Sequence, residues 1–478
     1  MELLVPIDTQ SKKPLYEQIY EYIRGEIRAG RMQAGSRLPS TRVLAEHLKV
    51  SRSTTQMAYD QLLAEGYIGA VPCRGYFVGH LETLVEMETL PEPSRAMRMQ
   101  EEEDEEEISG RATVDGWIDF SPRGIDLDSF PYNTWRRLSK DTLVDDNKEF
   151  FHSGNPQGEP GLREAIGRYL HGARGVNCRP EQIIVGAGSE YLWMLLGLIL
   201  GTGHRIAMEN PTYKQAYRVF HSLGYEVCPV EMDASGMSTE LLTVSGASVA
   251  YVMPSHQYPT GIVMPVGRRQ ELLHWANAGP ERYLIEDDYD SEFRYRGKPV
   301  PALQGLDRQG RVIYLGTFSK SIAPAIRVSY MVLPEKLLQI YHERVGFYAS
   351  TVSRIDQNIL YQFIERGFYE RHLNRMRTIY KGKHDALISA IRPLEDDFDL
   401  QGERAGLHIL LTDRRGRGEK ELIDRAAAVG VRVYGISGYY IHPECNHRPC
   451  TVVLGFATLS EAEIARGAGL LAAAWSMC

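Results

Sequence analysis

The sequence has few cysteines, no long apolar run and no excess of positive charge. Six scattered cysteines in 478 residues are too few for a disulfide-stapled fold. The most apolar stretch, residues 192–200, covers nine residues, whereas a membrane-spanning helix needs about 20. The first residues lack the charged region, apolar run and cleavage site of an export signal. We therefore expect a cytoplasmic protein without a disulfide scaffold and without a membrane partner.

The net charge of −8 argues against a nucleic-acid partner when the chain is taken as a whole. Its distribution is uneven, because residues 1–80 carry a net charge of +2 and residues 81–110 a net charge of −9. Residues 101–107 are seven consecutive acids, which repel one another and cannot form a core. We therefore predict an N-terminal domain over 1–80, an acidic linker over 81–115 and a large domain over 116–478.

The N-terminal domain begins with an amphipathic helix pattern, since Leu15, Ile19, Ile23 and Ile27 recur every four residues. Ser40 follows Pro39 and is expected to cap a second helix that ends at residue 47 or 48.

A third helix is expected over about residues 52–65, with short hydroxyl side chains and Arg52 crowded at its start. Such a first turn suits a recognition helix, which meets base edges and phosphates. Two short strands with Arg74 and Gly75 between them would form a wing. A small helical interaction domain is the alternative interpretation of the same pattern.

The run LPSTRVLAEHLKVSRSTTQMAYDQLLAEGY, followed by RGYFV, resembles the winged helix-turn-helix of the GntR family. The resemblance implies that Arg52 reads a base in the major groove and that Arg42 contacts phosphate or base of double-stranded operator DNA. Thr55 stands where the family often has valine, a position that affects packing more than base reading. The residues assigned to DNA are Ser40, Arg42, Ser51, Arg52, Ser53, Thr54, Thr55, Arg74 and Gly75.

The large domain contains three motifs that would be weak evidence singly. YLIEDDYDSEF places Asp287 and Tyr289 after an apolar strand, and GTFSKSIAPAIR places Lys320 seven residues before Arg327. IIVGAGSEYLWMLL is a strand, a glycine turn and a helix, a junction whose free N–H groups bind anions.

Together these motifs match the needs of pyridoxal 5′-phosphate (PLP). The cofactor requires a lysine for its Schiff base, an acid beside its ring nitrogen and an anion pocket for its phosphate.

Residues 116–478 resemble the class I aminotransferases of PLP fold type I, which implies a large α/β domain and a smaller C-terminal α/β domain over about 345–478. By this resemblance Lys320 forms the Schiff base, Asp287 pairs with the ring nitrogen, Tyr289 binds the ring hydroxyl and Tyr213 stacks on the ring. In the turn PSHQYPTG, Tyr258 replaces the usual asparagine. The other residues assigned to the cofactor are Gly188, Ser189, Glu190, His256, Thr317, Ser319 and Arg327.

The order of the domains resembles the MocR subfamily of bacterial transcription regulators, and the motifs are similar to those of its GABA-responsive member. The resemblance implies a domain-swapped homodimer that senses a small amine or amino acid, or PLP itself. GABA is disfavoured as the effector, because Gln215 and Gly438 stand where that member has arginines. The segment TVVLGFATL also lacks the carboxylate-binding arginine of aminotransferases, and Arg123 is one candidate for replacing it.

Two functions stay open at this point. The first is a regulator with at most residual transamination, and the second is a working aminotransferase with an accessory DNA-binding domain. The missing arginine favours the regulator, because transamination needs an oriented carboxylate. Residues 442–450 gather two cysteines and two histidines, but their spacing fits no common zinc site, so we expect no metal.

Overall fold

The computed structural model describes residues 5–8, 11, 13–71, 74–79, 116–143, 148–295, 300–442 and 450–476. The chain divides into two compact units, Met1–Arg111 and Ala112–Cys478. We call the first the reader unit and the second the effector unit. Among the described residues, no helix combines the length and apolar character needed to cross a bilayer.

The reader unit is a winged helix-turn-helix. Its elements are α1 (Leu15–Arg28), α2 (Thr41–Leu48), α3 (Arg52–Ala64), β1 (Ile68–Val71) and β2 (Gly75–Val78). The predicted apolar stripe of α1 is confirmed, since Ile19, Ile23 and Ile27 are buried against α3 and the hairpin. β1 and β2 pair antiparallel, which confirms the predicted wing.

Local hydrogen bonds set the boundaries of the two helices in the motif. The Ser40 hydroxyl accepts the Val43 N–H at 3.3 Å, and the Ser51 hydroxyl accepts the Thr54 N–H at 3.1 Å. Each serine thereby satisfies one of the N–H groups that a helix start leaves unpaired. Lys49 ends α2 in the left-handed conformation at φ 53°. The predicted cap and the short connection between the helices are therefore confirmed.

The effector unit is built on an eight-stranded sheet among its described residues. Its order is β4 (Ile183–Gly186), β11 (Ser329–Val332), β10 (Val312–Thr317), β9 (Tyr283–Asp288), β8 (Val249–Val252), β5 (Arg205–Asn210), β6 (Glu226–Asp233) and β7 (Gly236–Met237). Five adjacent strands run parallel to one another, namely β10, β9, β8, β5 and β6. Strand β11 runs antiparallel to both of its neighbours, β10 and β4. β4 therefore points the same way as β10, and the carboxyl ends of these strands share one edge.

Helices pack against this sheet and against a smaller sheet near the C-terminus. They are α4 (Tyr132–Leu143), α5 (Pro160–Arg174), α6 (Ser189–Leu200), α7 (Lys214–Ser222), α8 (Thr239–Val244), α9 (Val266–Asn277), α10 (Glu335–Arg344), α11 (Arg354–Glu365), α12 (Phe368–Ala390), α13 (Glu419–Ala428) and α14 (Glu461–Ser476). The central strands β8, β9 and β10 are buried along their length, as expected for a parallel sheet covered on both faces.

A smaller four-stranded sheet lies toward the C-terminus, as the resemblance implied. Its order is β12 (Phe398–Gln401), β13 (His408–Asp413), β16 (Thr451–Gly455) and β15 (Tyr434–Gly435), with α12, α13 and α14 packed in the same region. Two further strands pair in parallel, β3 (Ile118–Asp119) with β14 (Val431–Arg432). The beginning of the effector unit is therefore attached to its C-terminal part, which the predicted bounds of 345–478 did not include.

Candidate functional site

A cavity of about 230 Å³ lies where the carboxyl ends of the parallel strands meet. In open α/β sheets, ligands bind in the crevice outside the carboxyl ends of the strands. The cavity is lined by Arg123, Ser189, Glu190, Trp193, Tyr213, Met253, Tyr258, Asp287, Tyr289, Thr317, Ser319, Lys320, Pro324 and Arg327. The structure thus brings together nine of the eleven residues assigned to the cofactor from sequence.

Lys320 lies three residues beyond the end of β10, and its ammonium group donates a hydrogen bond to the main-chain oxygen of Arg123 at 2.6 Å. Desolvation lowers the pKa of Lys320 to about 8, the nearby Arg123 charge acts in the same direction, and the Asp290 carboxylate opposes both. A lysine with this pKa has a neutral, nucleophilic fraction near physiological pH.

The adjacent carboxylates at the end of β9 have different roles, because successive side chains of a strand point to opposite faces. Asp287 lines the cavity and accepts a hydrogen bond from the Tyr251 hydroxyl. Desolvation, with repulsion from Asp288 and Asp290, raises the pKa of Asp287 to about 7. Asp288 instead forms a buried ion pair with Arg174 at 2.8 Å, which lowers its pKa.

Hydroxyl groups and a guanidinium form an anion cup at the start of α6. Ser189 is the first residue of this helix, and its hydroxyl lies 3.5 Å from that of Ser329. The Ser329 hydroxyl donates to the Thr317 hydroxyl at 2.9 Å, and the Ser319 N–H donates to the same Thr317 oxygen at 3.1 Å. The free N–H groups of the helix start add positive potential to the cup.

Gly188 does not line the cavity, but the cup depends on it. It has φ +90°, and a Cβ atom at this position would lie 2.5 Å from Nη2 of Arg327. Arg327 itself has φ 52° and forms an ion pair with Glu190 at 2.9 Å. The absence of a side chain at Gly188 is therefore what lets the guanidinium approach the start of α6.

Aromatic side chains form one wall of the cavity. The Tyr213 ring makes edge contacts with Trp193 at 6.0 Å and with Tyr258 at 5.8 Å between centroids. The Tyr258 hydroxyl lies 3.0 Å from that of Tyr439, so the residue that replaces the usual asparagine is held within an aromatic cluster.

His256 differs from the sequence expectation, since it lies behind the cavity wall and not on it. Its Nδ1 is 2.9 Å from the Asp290 carboxylate and 3.0 Å from the Tyr289 hydroxyl, and the ring is 2% exposed. The imidazole lies close to Gly406, where a Cβ atom would come within 1.9 Å of its Cε1, and it does not line the cavity. His256 can therefore orient Tyr289 but does not reach the ligand space.

Three lining residues were not predicted from sequence, namely Trp193, Met253 and Pro324. Trp193 lies four residues after Ser189 on α6, so helical spacing from the anion cup was a usable signal. Met253 directly follows β8. It lies at the cavity because β8 is a central strand of the sheet, which the local sequence does not reveal.

Most of the residues assigned to DNA lie at the surface of the reader unit. Arg42, Ser51, Arg52, Ser53 and Arg74 are exposed, with Ser51 bonded to both Ser53 and Thr54 at 2.7 Å. Ser40 is the cap of α2 described above. Gly75 begins β2 at φ +104°, a conformation that suits glycine in the wing.

Thr55 differs from the expectation of a DNA contact. It is fully buried, and its hydroxyl donates to the Thr41 oxygen at 2.8 Å. The hydroxyl is used to hold α3 against α2, so it is not presented to a partner.

No cluster of side chains suited to a metal ion occurs in the described part of the chain. The candidate ligands Cys445 and His447 lie outside the described residues, whereas His442 and Cys450 lie within them.

Family models match both units. The model for bacterial regulatory proteins of the gntR family matches residues 15–78, and the model for class I and II aminotransferases matches residues 125–469. The class I and II aminotransferase fold implies dependence on PLP.

Similar proteins align with nearly the whole chain. The HTH-type transcriptional regulator YhdI of Bacillus subtilis is 41% identical over 478 residues, which is 100% of this chain and 99% of the relative. The probable rhizopine catabolism regulatory protein MocR of Rhizobium meliloti is 33% identical over 99% of this chain and 96% of its own.

The structure is also similar to that of a multiple substrate aminotransferase from Thermococcus profundus. That similarity has a TM-score of 0.68 and 25% identity, and it covers 80% of this chain and 95% of the other. The chain is therefore a MocR-type transcriptional regulator, a member of the family in which a GntR-type DNA-binding domain is joined to a class I and II aminotransferase domain.

Proposed function

We propose that this regulator binds PLP covalently through Lys320 and that an amine, an amino acid or PLP itself, acting in the same cavity, controls its binding to operator DNA. The observation that carries the proposal is the convergence, on one cavity, of a lysine with a pKa of about 8, a buried carboxylate and an anion cup.

The anion cup fits a phosphate group. Its donors are the hydroxyls of Ser189, Thr317 and Ser319, the Arg327 guanidinium and the first N–H groups of α6. Helix N-termini, hydroxyls and arginine are the groups that recognise phosphate in proteins. Glu190 neutralises Arg327 in the structure described here, so a phosphate would share that guanidinium.

The other end of the cavity fits a pyridine ring. Asp287 would pair with the ring nitrogen, whose positive charge would offset the desolvation and the carboxylate repulsion that raise the pKa of this carboxyl. Tyr213 would pack on the ring and Tyr289 would bind its hydroxyl, with His256 and Asp290 orienting the Tyr289 phenol. When bound, PLP supplies an electrophilic carbon for amines and an electron sink.

The absence of an arginine from β16 favours regulation over catalytic turnover. None of the residues of β16 is an arginine, and its Val452, Val453 and Leu454 are fully buried. Without an arginine there, an amino acid lacks the bidentate partner that would orient it for proton transfer. A working aminotransferase remains the second candidate, because Lys320 and Asp287 are both in place.

On the DNA side, we propose that Arg52 reads a base while Ser51, Ser53 and Thr54 fix α3 on the phosphate backbone. Arg42 would add a contact from α2, and the Arg74 wing a further one. The acidic stretch within residues 81–115 would act as the linker between the domains at 1–80 and 116–478.

We also propose that the regulator is a cytoplasmic homodimer in which the reader units are exchanged between partners. Large apolar side chains exposed on the effector unit support a second copy as the partner, because such residues mark protein interfaces when they cluster. They include Met194 and Leu198 on α6, and also Tyr132, Leu143, Phe151, Phe347 and Tyr348.

The Lys320→Ala variant tests the cofactor assignment. We expect purified wild-type protein reconstituted with PLP to absorb visible light and to keep this absorption through dialysis, whereas Lys320→Ala loses it. Lys336→Ala is the matched control, because Lys336 is an exposed lysine of the same unit outside the cavity. A colourless wild type would contradict the assignment. So would a Lys320→Ala variant that keeps the visible absorption and carries covalently attached cofactor after borohydride reduction, because another lysine would then form the bond.

A further inference from the structure

We propose that Gln56 of α3 reads a cytosine of the operator, and that Asp60 is the positioning residue that makes this reading selective. Asp60 holds the amide so that its oxygen, and not its nitrogen, faces the bases. The proposal rests on the DNA-binding role proposed for α3 above. It assigns base specificity to two residues outside the set at the start of the helix.

Arg52, Gln56 and Asp60 lie on one stripe of α3, because they are spaced four residues apart. Ala58 and Leu62 are on the opposite side of the helix and are fully buried. A step of four residues advances about 6 Å along a helix, and successive base pairs are about 3.4 Å apart. A recognition helix in the major groove would therefore bring Gln56 to a base pair about two steps from the one that Arg52 reads.

The hydrogen bonds of Gln56 fix which end of its amide faces outward. Its Nε2 donates to Oδ1 of Asp60 at 2.8 Å and lies 3.5 Å from the Tyr76 hydroxyl of the wing. A carboxylate only accepts hydrogen bonds, so the NH₂ group of the amide must face Asp60. Oε1 of Gln56 forms no hydrogen bond with a described residue, and the side chain therefore presents an acceptor.

The wing supports this orientation from the other side of the amide. The Tyr76 ring makes an edge contact with the Tyr59 ring of α3, with 4.9 Å between centroids. Tyr59 is fully buried, and its hydroxyl donates to the Pro39 oxygen at 2.9 Å. The Tyr76 hydroxyl is thereby held beside Nε2 of Gln56, so both N–H groups of the amide are directed toward acceptors of the protein.

An outward-facing acceptor distinguishes the bases by their amino groups. In the major groove, only cytosine N4 and adenine N6 carry an amino group. Adenine also presents its N7 acceptor beside the amino group, and a glutamine reads it by donating and accepting at once. Nε2 of Gln56 is engaged by Asp60 and cannot donate to N7. Cytosine is therefore the base that the amide oxygen fits best.

The charge of Asp60 gives the pair a recognisable signature. Asp60 is the only acid in the sequence of α3, RSTTQMAYDQLLA, and its side chain is exposed. An acid on a helix that docks on DNA is repelled by the phosphates whatever the base sequence. Asp60 thus lowers the affinity for DNA in general while it orients Gln56 for one base. A residue with a purely structural role would not have these two opposite effects.

The test compares the sequences that the full chain and its variants select from random double-stranded DNA. The wild type should prefer cytosine about tenfold at one position near the base pair whose preference Arg52→Ala loses. Gln56→Ala should lose the cytosine preference. Asp60→Ala should change it to adenine, because the freed amide can donate to N7 and accept from N6. The affinity of Asp60→Ala for DNA of unrelated sequence should rise, because a repulsive charge is removed.

Two further variants complete the comparison. Gln56→Glu should keep the cytosine preference, because a carboxylate also accepts from cytosine N4. Gln61→Ala is the matched control and should select the same bases as the wild type. Gln61 donates to Glu65, an acid four residues further on, at 3.2 Å, but it lies off the stripe.

Unchanged base preferences in Gln56→Ala, or the same loss in Gln61→Ala, would overturn reading by Gln56. A retained cytosine preference in Asp60→Ala, or a fall in its affinity for unrelated DNA, would overturn the positioning role of Asp60. If Gln56→Ala does not fold, Gln56→Glu decides, and loss of the cytosine preference there overturns the proposal. A wild type that selects no common sequence would instead overturn the DNA-binding role proposed for α3, so the failures are distinguishable.

Discussion

The ion pair on the helix-turn-helix motif and the ion pair behind the cavity stand in different surroundings. In the reader unit, the Arg42 and Glu46 side chains are 77% and 68% exposed and lie 3.4 Å apart. In the effector unit, the Arg174 and Asp288 side chains are 3% and 1% exposed and lie 2.8 Å apart. Exposed charges remain screened and available to a charged partner such as DNA, whereas buried charges interact strongly with one another and set the ionisation of the site.

This contrast explains how one chain combines two kinds of recognition. The reader unit places its polar side chains at the start of α3, where water and a nucleic acid can reach them. The effector unit desolvates Lys320 and Asp287, so that burial lowers the pKa of the amine and raises that of the acid toward the same range.

The largest effect is expected from breaking the buried pair. Asp288→Asn leaves the Arg174 charge buried without its partner, which should lower the free energy of unfolding of the effector unit by about 3–5 kcal/mol. Chemical denaturation followed by tryptophan fluorescence measures this change, because all five tryptophans lie in the effector unit. The reader unit has no tryptophan, so its unfolding is followed by far-UV circular dichroism. The matched exposed variant, Glu46→Gln, should leave the unfolding of the reader unit unchanged, and equal effects of the two variants would contradict the comparison.

The second prediction concerns the pH dependence of PLP incorporation. Only the neutral amine of Lys320 attacks the cofactor, and its pKa is lowered from 10.5 to about 8. The rate of PLP incorporation should therefore rise about tenfold per pH unit below pH 8 and level off above it. Stopped-flow absorption across this range measures the profile. A rate that still climbs steeply at pH 10 would show that Lys320 titrates like an exposed lysine.

A smaller effect is expected at the DNA surface. Arg52→Ala should weaken binding to an operator, selected by the wild-type protein from random DNA, by about 1–3 kcal/mol. The visible absorption of the PLP-loaded effector unit should not change, because Arg52 lies in the other unit. Arg28→Ala, at the exposed end of α1, is the control. If Arg28→Ala lost affinity for the operator and Arg52→Ala did not, α3 would not be the DNA-recognition helix.

Features that depend on neighbours in sequence were the ones that could be predicted best. The α1 stripe, the Ser40 cap, the α2–α3 connection and the wing all follow from contacts within a few residues, and the structure confirms them. The cofactor residues were assigned by resemblance, and the structure gathers most of them in one cavity because parallel strands end at the same edge. Thr55 and His256 differ from expectation because burial depends on packing between elements, which a local pattern does not encode.

The two-domain organisation of a DNA-binding regulator could be predicted from the sequence, because its caps, turns, strand ends and motif residues are local in the chain. The resemblance already assigned Asp287 to the cofactor, but the tertiary structure determined that Asp288 is buried in an ion pair with Arg174. The tertiary structure also decided that Gly188 admits the Arg327 guanidinium and that Arg123 lies against Lys320, 197 residues away. The physical reason is that desolvation and charge interactions act through space, so the chemistry of each group depends on what the fold places beside it.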